Sequence, residues 1–498
     1  EKCVSPLGCN HCEAMTFSTQ INEISLNLQQ TAEMLSIING NETFPISGLI
    51  DVTPQLKALK INGTYIQAHE LGRLYRGLNI ITEVLEFLGI SRQNAEEPLP
   101  YPTLRALASE LGQFPHITKC IERVLDTRSN SIKDNASAQL ADIRHQLAMA
   151  SGSINRAMRR VISQAVAAGY IDSDTTPTVR DGRLVIPVAP MNKRRIQGIV
   201  HDESATGKTL FIEPAEVVEA NNRLRELQAE ERQEIIRILM AVAVEIRPHI
   251  PELLESFNVM GRLDFIHAKA CFARDINATL PTLDDTQELE WWHACHPGLL
   301  LSLQNQGKQV VPLDITLTND ARILIISGPN AGGKSVTLKT VGIIQYMTQC
   351  GMLPSVAENS HMGVFNDILL DIGDDQSIEN DLSTYSSHLR NMKLMLNKGD
   401  GKTLVLIDEF GGGTEPQIGG ALAQAILRQF NDNGMWGIIT THYQNLKQYA
   451  EETPGLINGS MLYDRQLMQP MFKLSIGNAG SSFAVEIARK TGLPESII

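Results

Sequence analysis

Residues 328–335, Gly-Pro-Asn-Ala-Gly-Gly-Lys-Ser, satisfy every fixed position of a phosphate-loop pattern. The loop stands between an apolar run at 323–326 and a helical pattern that opens near Ser335. Strand, glycine-rich loop and helix in that order confine this part of the chain to an α/β fold. They point successive backbone N–H groups and a helix N-terminus at an anion. Gly328, Pro329, Asn330, Ala331, Gly332, Gly333, Lys334, Ser335 and the following Val336 therefore form a candidate nucleotide-binding segment. In it Lys334 reaches the β- and γ-phosphates of a nucleoside triphosphate, and the Ser335 hydroxyl holds Mg2+.

The same region supplies the rest of a hydrolysis site. The apolar runs at 323–326, 404–407 and 438–441 do not alternate with polar residues, the pattern of strands buried on both faces of a parallel sheet. The second ends in Asp408-Glu409, 74 residues after Lys334. Asp408 is expected to orient the Mg2+ shell and Glu409 to polarise the attacking water. The third is followed by His442, which belongs in the crevice at the carboxyl ends of the strands and is assigned to sensing the γ-phosphate. Gly411-Gly-Gly-Thr-Glu415, directly after the acidic pair, allows close approach of another backbone and suggests a subunit contact.

Upstream the periodicity is helical. Segments at 21–38, 70–88 and 103–125 read as helices of an all-α core. Leu140, Ile143, Leu147, Ala150, Ile154, Ala157 and Val161 then alternate spacings of three and four. A second such stripe, Leu224 to Ile246, follows on a pattern running from 214 to 247. Each helix would be ~45–50 Å long at the α-helical rise. Between them lie a hairpin turned at Asp181-Gly182 and a second strand pair at 195–200 and 209–212. The chain thus goes out along one helix, builds a small sheet and returns along another. The expected divisions are a helical core at 1–128, an outgoing arm helix at 129–172, a β-rich tip at 173–213, the returning helix with more of the core at 214–286, and an ATPase domain at 287–498.

Composition narrows the class. With 43% hydrophobic residues a packed core is expected. No apolar run is long enough to cross a bilayer, and a soluble, cytoplasmic protein is expected. Residue 1 is Glu, which suggests a trimmed start. Seven scattered cysteines do not form a disulfide framework, and Cys9-Asn-His-Cys12 lacks the second pair a zinc finger requires. A net charge of −13 does not advertise a nucleic-acid binder, although a local basic groove is compatible with it.

Taken together, these motifs resemble the MutS family, within the ABC-type ATPases. The phosphate loop, the segment Asp381-Leu-Ser-Thr-Tyr-Ser-Ser-His-Leu389, Asp408-Glu409, Gly413-Thr-Glu-Pro416 and Thr441-His-Tyr443 stand in the family's order. Gly480-Ser-Ser-Phe-Ala-Val-Glu-Ile487 and Gly492-Leu-Pro494 match its closing stretch, and Cys295-His-Pro297 and Val310-Val-Pro312 resemble the segments that flank the adenine. Arg180-Asp-Gly-Arg-Leu-Val-Ile-Pro187, Gly198-Ile-Val-His-Asp-Glu-Ser-Ala205 and Thr209-Leu-Phe-Ile-Glu-Pro214 are similar to the bacterial paralogue branch that usually continues into an Smr nuclease domain. No counterpart of the mismatch-reading Phe-x-Glu domain is found, and no nuclease activity is assigned to this stretch.

The resemblance implies a fold, an activity and partners. The fold is an ABC-type P-loop ATPase domain joined to an all-α core with a long two-helix arm tipped by a small β clamp. The activity is Mg2+-dependent ATP hydrolysis in a homodimer, in which Ser383, with Thr384 beside it, meets the γ-phosphate held by the other copy. The partner is a nucleic acid held by the arms and no membrane, with Arg180, Arg183, Lys193, Arg194 and Arg195 at the tip and Arg156, Arg159 and Arg160 on the arm as candidate phosphate contacts. The expected substrate is branched or recombination-intermediate DNA, with suppression of recombination. The alternative is rRNA in the ribosome, with the same clamp splitting stalled or collided ribosomes. A chromosome-maintenance ATPase would need far longer coiled coils.

Overall fold

The structure is a computed structural model that describes residues 1–90, 100–329, 332–373, 384–412, 415–464, 467 and 469–480. Its contacts divide the chain into two compact units. One comprises Glu1–Gly48, Val84–Glu110 and Val259–Ile498, the other Leu49–Glu83 and Leu111–Asn258.

The second unit holds the arm. Helix α1 (Ala138–Ala167) leads out, strands β1 (Thr178–Arg180), β2 (Arg183–Val188), β3 (Gly198–Glu203) and β4 (Leu210–Pro214) form the tip, and helix α2 (Ala215–Ile246) returns. The two helices pack antiparallel, with Glu234 of α2 level with Ser137 at the start of α1. Leu140, Ile143, Ile154 and Val161 of α1 and Leu227 of α2 are buried, and the stripe of α2 continues past α1 through Val242 and Ile246, which are buried beyond it. Arg144 staples the pair near the start of α1, donating through Nε to Glu231 at 2.7 Å and through Nη1 to the Ile132 carbonyl at 2.9 Å.

The start of α1 is fastened by a buried acid. Ser137 caps the helix by accepting from the Leu140 N–H at 3.0 Å, and its own hydroxyl donates to Glu234 at 2.6 Å. Hydrogen bonds from Arg237, together with that from Ser137, hold the Glu234 carboxyl at about 2 against its burial. A depressed acid stabilises the folded arm above its ordinary value of 4.5 and loses that contribution as pH falls toward 2. Amide protection of the first turn of α1 is therefore expected to be flat from pH 7 to 5 and to fall below 4.5. Glu234→Gln should remove most of that dependence in hydrogen exchange.

The tip sheet has the order β1-β2-β4-β3, antiparallel throughout. Its first hairpin turns at Asp181 and Gly182 with φ of 46° and 71°, the left-handed pair that an Asp-Gly turn supplies. The third strand lies three residues later than the run at 195–200, because Pro190–Asn192 and the following residues form a turn ahead of it. The helix expected over 103–125 is two helices, Pro102–Ala108 and Pro115–Val124. Pro115 cannot continue a helix that precedes it and opens the second one instead, while the Gly112 N–H donates to Ser256 Oγ at 3.0 Å.

The first unit carries two sheets. Thr282–Leu283, His361–Met362, β5 (Leu289–Ala294) and β6 (Leu313–Leu317) form the smaller one. The larger consists of β7 (Ala321–Ser327), β8 (Asp367–Asp371), β9 (Thr403–Ile407), β10 (Trp436–Thr440), β11 (Gly455–Asp464) and β12 (Gln469–Ile476). Its order is β8-β9-β10-β7-β11-β12, parallel except for the last pair. Helices α3 (Lys334–Gln349), α4 (Thr384–Lys398), α5 (Pro416–Asp432) and α6 (Gln444–Glu452) connect its strands.

The central runs of β7, β9 and β10, at 323–326, 404–407 and 438–439, are apolar at every position because both faces are covered there. Leu324, Ile326, Leu404, Leu406 and Ile438 pack with Leu338, Val341 and Ile344 of α3. Ile323, Ile325, Val405, Ile407 and Ile439 pack with Leu427 and Phe430 of α5 and Leu446 of α6. Ile24 and Leu28 of the helix Ile21–Asn39 pack with Met347 near the end of α3, so part of the N-terminal helical region belongs to this unit. Among the described residues no helix is long and apolar enough to cross a membrane.

Candidate functional site

The carboxyl ends of β7, β9 and β10 bring together the residues the sequence had spread over more than a hundred positions. After β7 the backbone enters a tight loop in which Gly328 has φ of 134° and Gly333 φ of 97°. A Cβ on Gly332 would stand 3.2 Å from that of Met461, so the loop's backbone is a cradle without room for side chains. Asn330 and Ala331 lie outside the described residues. Helix α3 starts at Lys334, whose side chain is 3% exposed and turns back into the loop. Its ammonium donates to the Gly328 carbonyl at 2.7 Å and lies 3.5 Å from His442 Nε2.

Electrostatics follows from that burial. Burial lowers the Lys334 ammonium below its usual range, opposed by Asp408 and Glu409. His442 is also lowered, first by burial and then by the Lys334 charge, so its imidazole is neutral at pH 7 and can share a proton with a phosphate oxygen. Ser335 follows in the first turn of α3, half-buried, and Val336 is exposed beside it.

The acidic pair is held by a residue the sequence reading gave no role. Thr440, at the end of β10, donates its hydroxyl to Asp408 Oδ1 and accepts from the Glu409 N–H at 2.8 Å. The Asp408 N–H donates to the Asp371 carbonyl at 2.9 Å, which fixes the turn from its other side. Glu409 sits at φ of 49°, a left-handed backbone that a glutamate adopts only when its surroundings impose it. The turn then exposes the carboxylate at the sheet's end, while the following Phe410 returns to the core. Tyr443 closes the crevice by donating its hydroxyl to the Gly411 carbonyl at 2.9 Å. Gly411, at φ of 86°, leaves only 2.8 Å between a built Cβ and the Tyr443 ring.

Two further groups were missed in the sequence. Lys447 of α6 is 7% exposed and donates to the Gly480 carbonyl at 3.0 Å, a second buried cation whose field helps lower Lys334 and His442. Phe472 of β12 has φ of 55° and would contact a Cβ on Gly333 at 3.3 Å. With His296, Val310, Val311 and Val336 it lines a cavity of about 480 Å3 beside the loop. No local pattern marks either residue, since each acts through a loop far away in sequence.

The donor set suits a Mg2+–nucleotide. A buried ammonium, a hydroxyl at a helix start, a glycine cradle that a Cβ would fill and two carboxylates occupy one crevice, with an apolar cavity alongside for the base. Ser383, Gly413 and Thr414 fall outside the described residues. Thr384 begins α4, the helix that Asp371 grips by accepting from Asn391 at 2.8 Å and pairing with His388 at 2.7 Å.

The tip residues are not equivalent. Arg183 is committed internally: its guanidinium donates to both oxygens of Glu213, which is 0% exposed, at 2.8 Å, and to Asn222 at 2.7 Å. Arg180 pairs with Asp202 at 3.2 Å and lies over the Phe211 ring. Lys193, Arg194 and Arg195 are exposed on one turn, and Arg156, Arg159 and Arg160 are exposed along α1.

Residues 324–498 match the family model for MutS domain V. Three curated relatives all carry the name Endonuclease MutS2. That of Geobacillus sp. (strain WCH70) is 38% identical over 494 residues, 99% of this chain and 62% of its own length. That of Finegoldia magna is 39% identical over 499 residues, 100% of this chain and 62% of its own. That of Levilactobacillus brevis is 37% identical over 495 residues, 99% of this chain and 61% of its own. This chain spans about three fifths of the length of these relatives. A candidate phosphate crevice at the strand ends, the matching domain model and alignment of nearly all of this chain with such relatives lead to one conclusion: the chain belongs to the MutS family, on their paralogue branch.

Proposed function

We propose that this chain is an ATP-driven clamp that closes as a homodimer and holds branched or recombination-intermediate DNA, built as an ABC-type ATPase domain bearing a two-helix arm. The observation that carries the reading is the meeting of Lys334, Asp408, Glu409 and His442 at the ends of three adjacent parallel strands. ATP would enter with its base in the cavity of His296, Val336 and Phe472 and its phosphates over the glycine cradle. Bound Mg2+, held by Ser335 and Asp408, would neutralise charge between the β- and γ-phosphates. Lys334 balances phosphate charge, Glu409 orients and deprotonates the attacking water, and neutral His442 reports the γ-phosphate by a hydrogen bond.

Ser383 and Thr384 would complete the site of a second copy. The exposed Ile418 and Leu422 on α5, the latter lining a pocket with Gly411 and Gly412, offer that copy an apolar surface. ATP would act by binding the closed pair more tightly than the open one. The endonuclease in the relatives' name belongs to proteins longer than this stretch, and no cleavage step is proposed for it.

Lys334→Ala is expected to weaken ATP binding roughly 10- to 100-fold, the worth of a hydrogen bond to a charged group. Isothermal titration checks it, and unchanged affinity would overturn the site. Light scattering with and without ATP should show a shift from one copy to two. Co-purification with ribosomes in place of branched DNA would reverse the substrate assignment.

A further inference from the structure

The tip carries one feature that phosphate contacts do not account for. Met191 is 86% exposed, more than any other large apolar side chain among the described residues. Single exposed apolar residues are ordinary on proteins, but this one is held out by a built turn. Pro190–Asn192 forms a 3-10 turn closed by the Asn192 N–H on the Ala189 carbonyl at 2.9 Å and continued by the Arg195 N–H on the Asn192 carbonyl at 2.9 Å. Asn192 Nδ2 ties the turn to the Tyr170 carbonyl at 2.7 Å, and the buried Ile196 anchors its far end in the tip's core.

The surroundings say what covers it. Lys193, Arg194 and Arg195 follow at once, and between Ala189 and Gln197 there is no acid, in a chain whose net charge is −13. Three adjacent exposed cations beside an apolar tip fit a polyanion with accessible apolar faces, and a purely apolar protein surface would leave them unpaired. Beside the turn lies a cavity of about 360 Å3, lined in part by Tyr170, Arg195, Ile196 and Gln197. The Arg195 guanidinium stands 5.8 Å from the centre of the Tyr170 ring. An aromatic ring with a guanidinium above it is a surface on which a nucleobase stacks.

We propose that the turn at Pro190–Gln197 recognises unstacked bases: Met191 inserts against the base step at a branch point, the cavity of Tyr170 and Arg195 receives the displaced base, and Lys193 and Arg194 hold the flanking phosphates. The proposal rests on the clamp reading and gives it a preference. In continuous duplex every base is stacked and the turn meets only phosphate and sugar. At a junction the stack is interrupted, and apolar insertion costs little further unstacking. The preference for branched DNA would thus reside in an apolar side chain and the affinity in the cations beside it.

The test titrates the full-length chain with a fluorescent three-way junction and with a duplex of equal length, over a range of salt. 2-Aminopurine at the branch point reports unstacking. Met191→Ala is expected to weaken junction binding roughly tenfold, leave duplex affinity and the salt slope as in the parent, and abolish the 2-aminopurine rise. Lys193→Ala should weaken both substrates equally and lower the salt slope by about one. If the parent prefers the junction and Met191→Ala keeps both that preference and the fluorescence rise, this proposal falls while the clamp stands. If the parent binds junction and duplex equally, it falls together with the assignment of branched DNA, while the ATP-driven clamp stands. If the parent binds neither DNA in a salt-dependent manner, the clamp reading falls and takes this inference with it.

Discussion

Replacing Glu409 by Gln is expected to slow ATP turnover by roughly 10²- to 10⁴-fold, the usual contribution of a positioned general base, with ATP affinity changed by no more than a few-fold. The two effects separate because of where Glu409 sits. Its carboxylate is exposed at the sheet's end, whereas its backbone is pinned by the Thr440 hydroxyl at 2.8 Å and by the left-handed turn at φ of 49°. Glutamine has nearly the same shape and the same backbone preferences, so the turn survives. The phosphate cradle and Lys334 belong to another strand and loop, so binding survives as well. What is lost is the ability to take a proton from water. Single-turnover hydrolysis checks the first number and nucleotide titration the second. The slowed variant should also hold the two-copy closed form for longer, seen as a stable dimer peak in light scattering with ATP. Hydrolysis at the parental rate would remove Glu409 from the chemistry.

Much of this site was legible because its chemistry is written locally. A glycine loop between strand and helix, and an acidic pair closing an apolar strand, each carry their meaning within ten residues. The arm was legible for a related reason: two narrow apolar stripes separated by turn residues bury their facing parts on each other, although the second runs past the start of the first, beyond Glu234. What escaped depends on contacts across the fold. Thr440 looked like one more residue of a buried strand at 438–441, and its role appears only because β10 lies beside β9 and ends level with Asp408. Lys447 comes from a helix, is tied to the Gly480 carbonyl and reaches Lys334 and His442 only through its charge, and Phe472 comes from an edge strand that stands against Gly333 in the loop after β7. Arg183 is the opposite case. As a basic residue next to a hairpin it reads as a phosphate contact, yet its charge is spent on a buried glutamate 30 residues on.

That glutamate sets the second large effect. Glu213 is 0% exposed at the end of β4 and accepts from Arg183 and from Asn221 at 2.7 Å, with His201 on its other oxygen. Burial alone would raise its carboxyl, but the bonds from Asn221, His201 and Arg183 overcome that and hold it below the ordinary value. A buried charge so satisfied is costly to disrupt from one side. Glu213→Ala leaves a largely buried guanidinium and an amide without their acceptor, and the expected loss is about 3–5 kcal/mol for the tip. Glu213→Gln keeps the volume and one acceptor but removes the charge, and should lose less. The acid's contribution, by the sign of its shift, is present at neutral pH and fades as pH falls below its unfolded value near 4.5. The damage should stay local, since the apolar stripes of α1 and α2 and the nucleotide crevice use none of these groups. Hydrogen exchange should therefore show β2, β3 and β4 opening while the arm root stays protected, and ATP hydrolysis without nucleic acid should remain at the parental rate. A tip as protected in Glu213→Ala as in the parent would mean that its apolar core of Ile186, Val188 and Ile212 holds the sheet unaided.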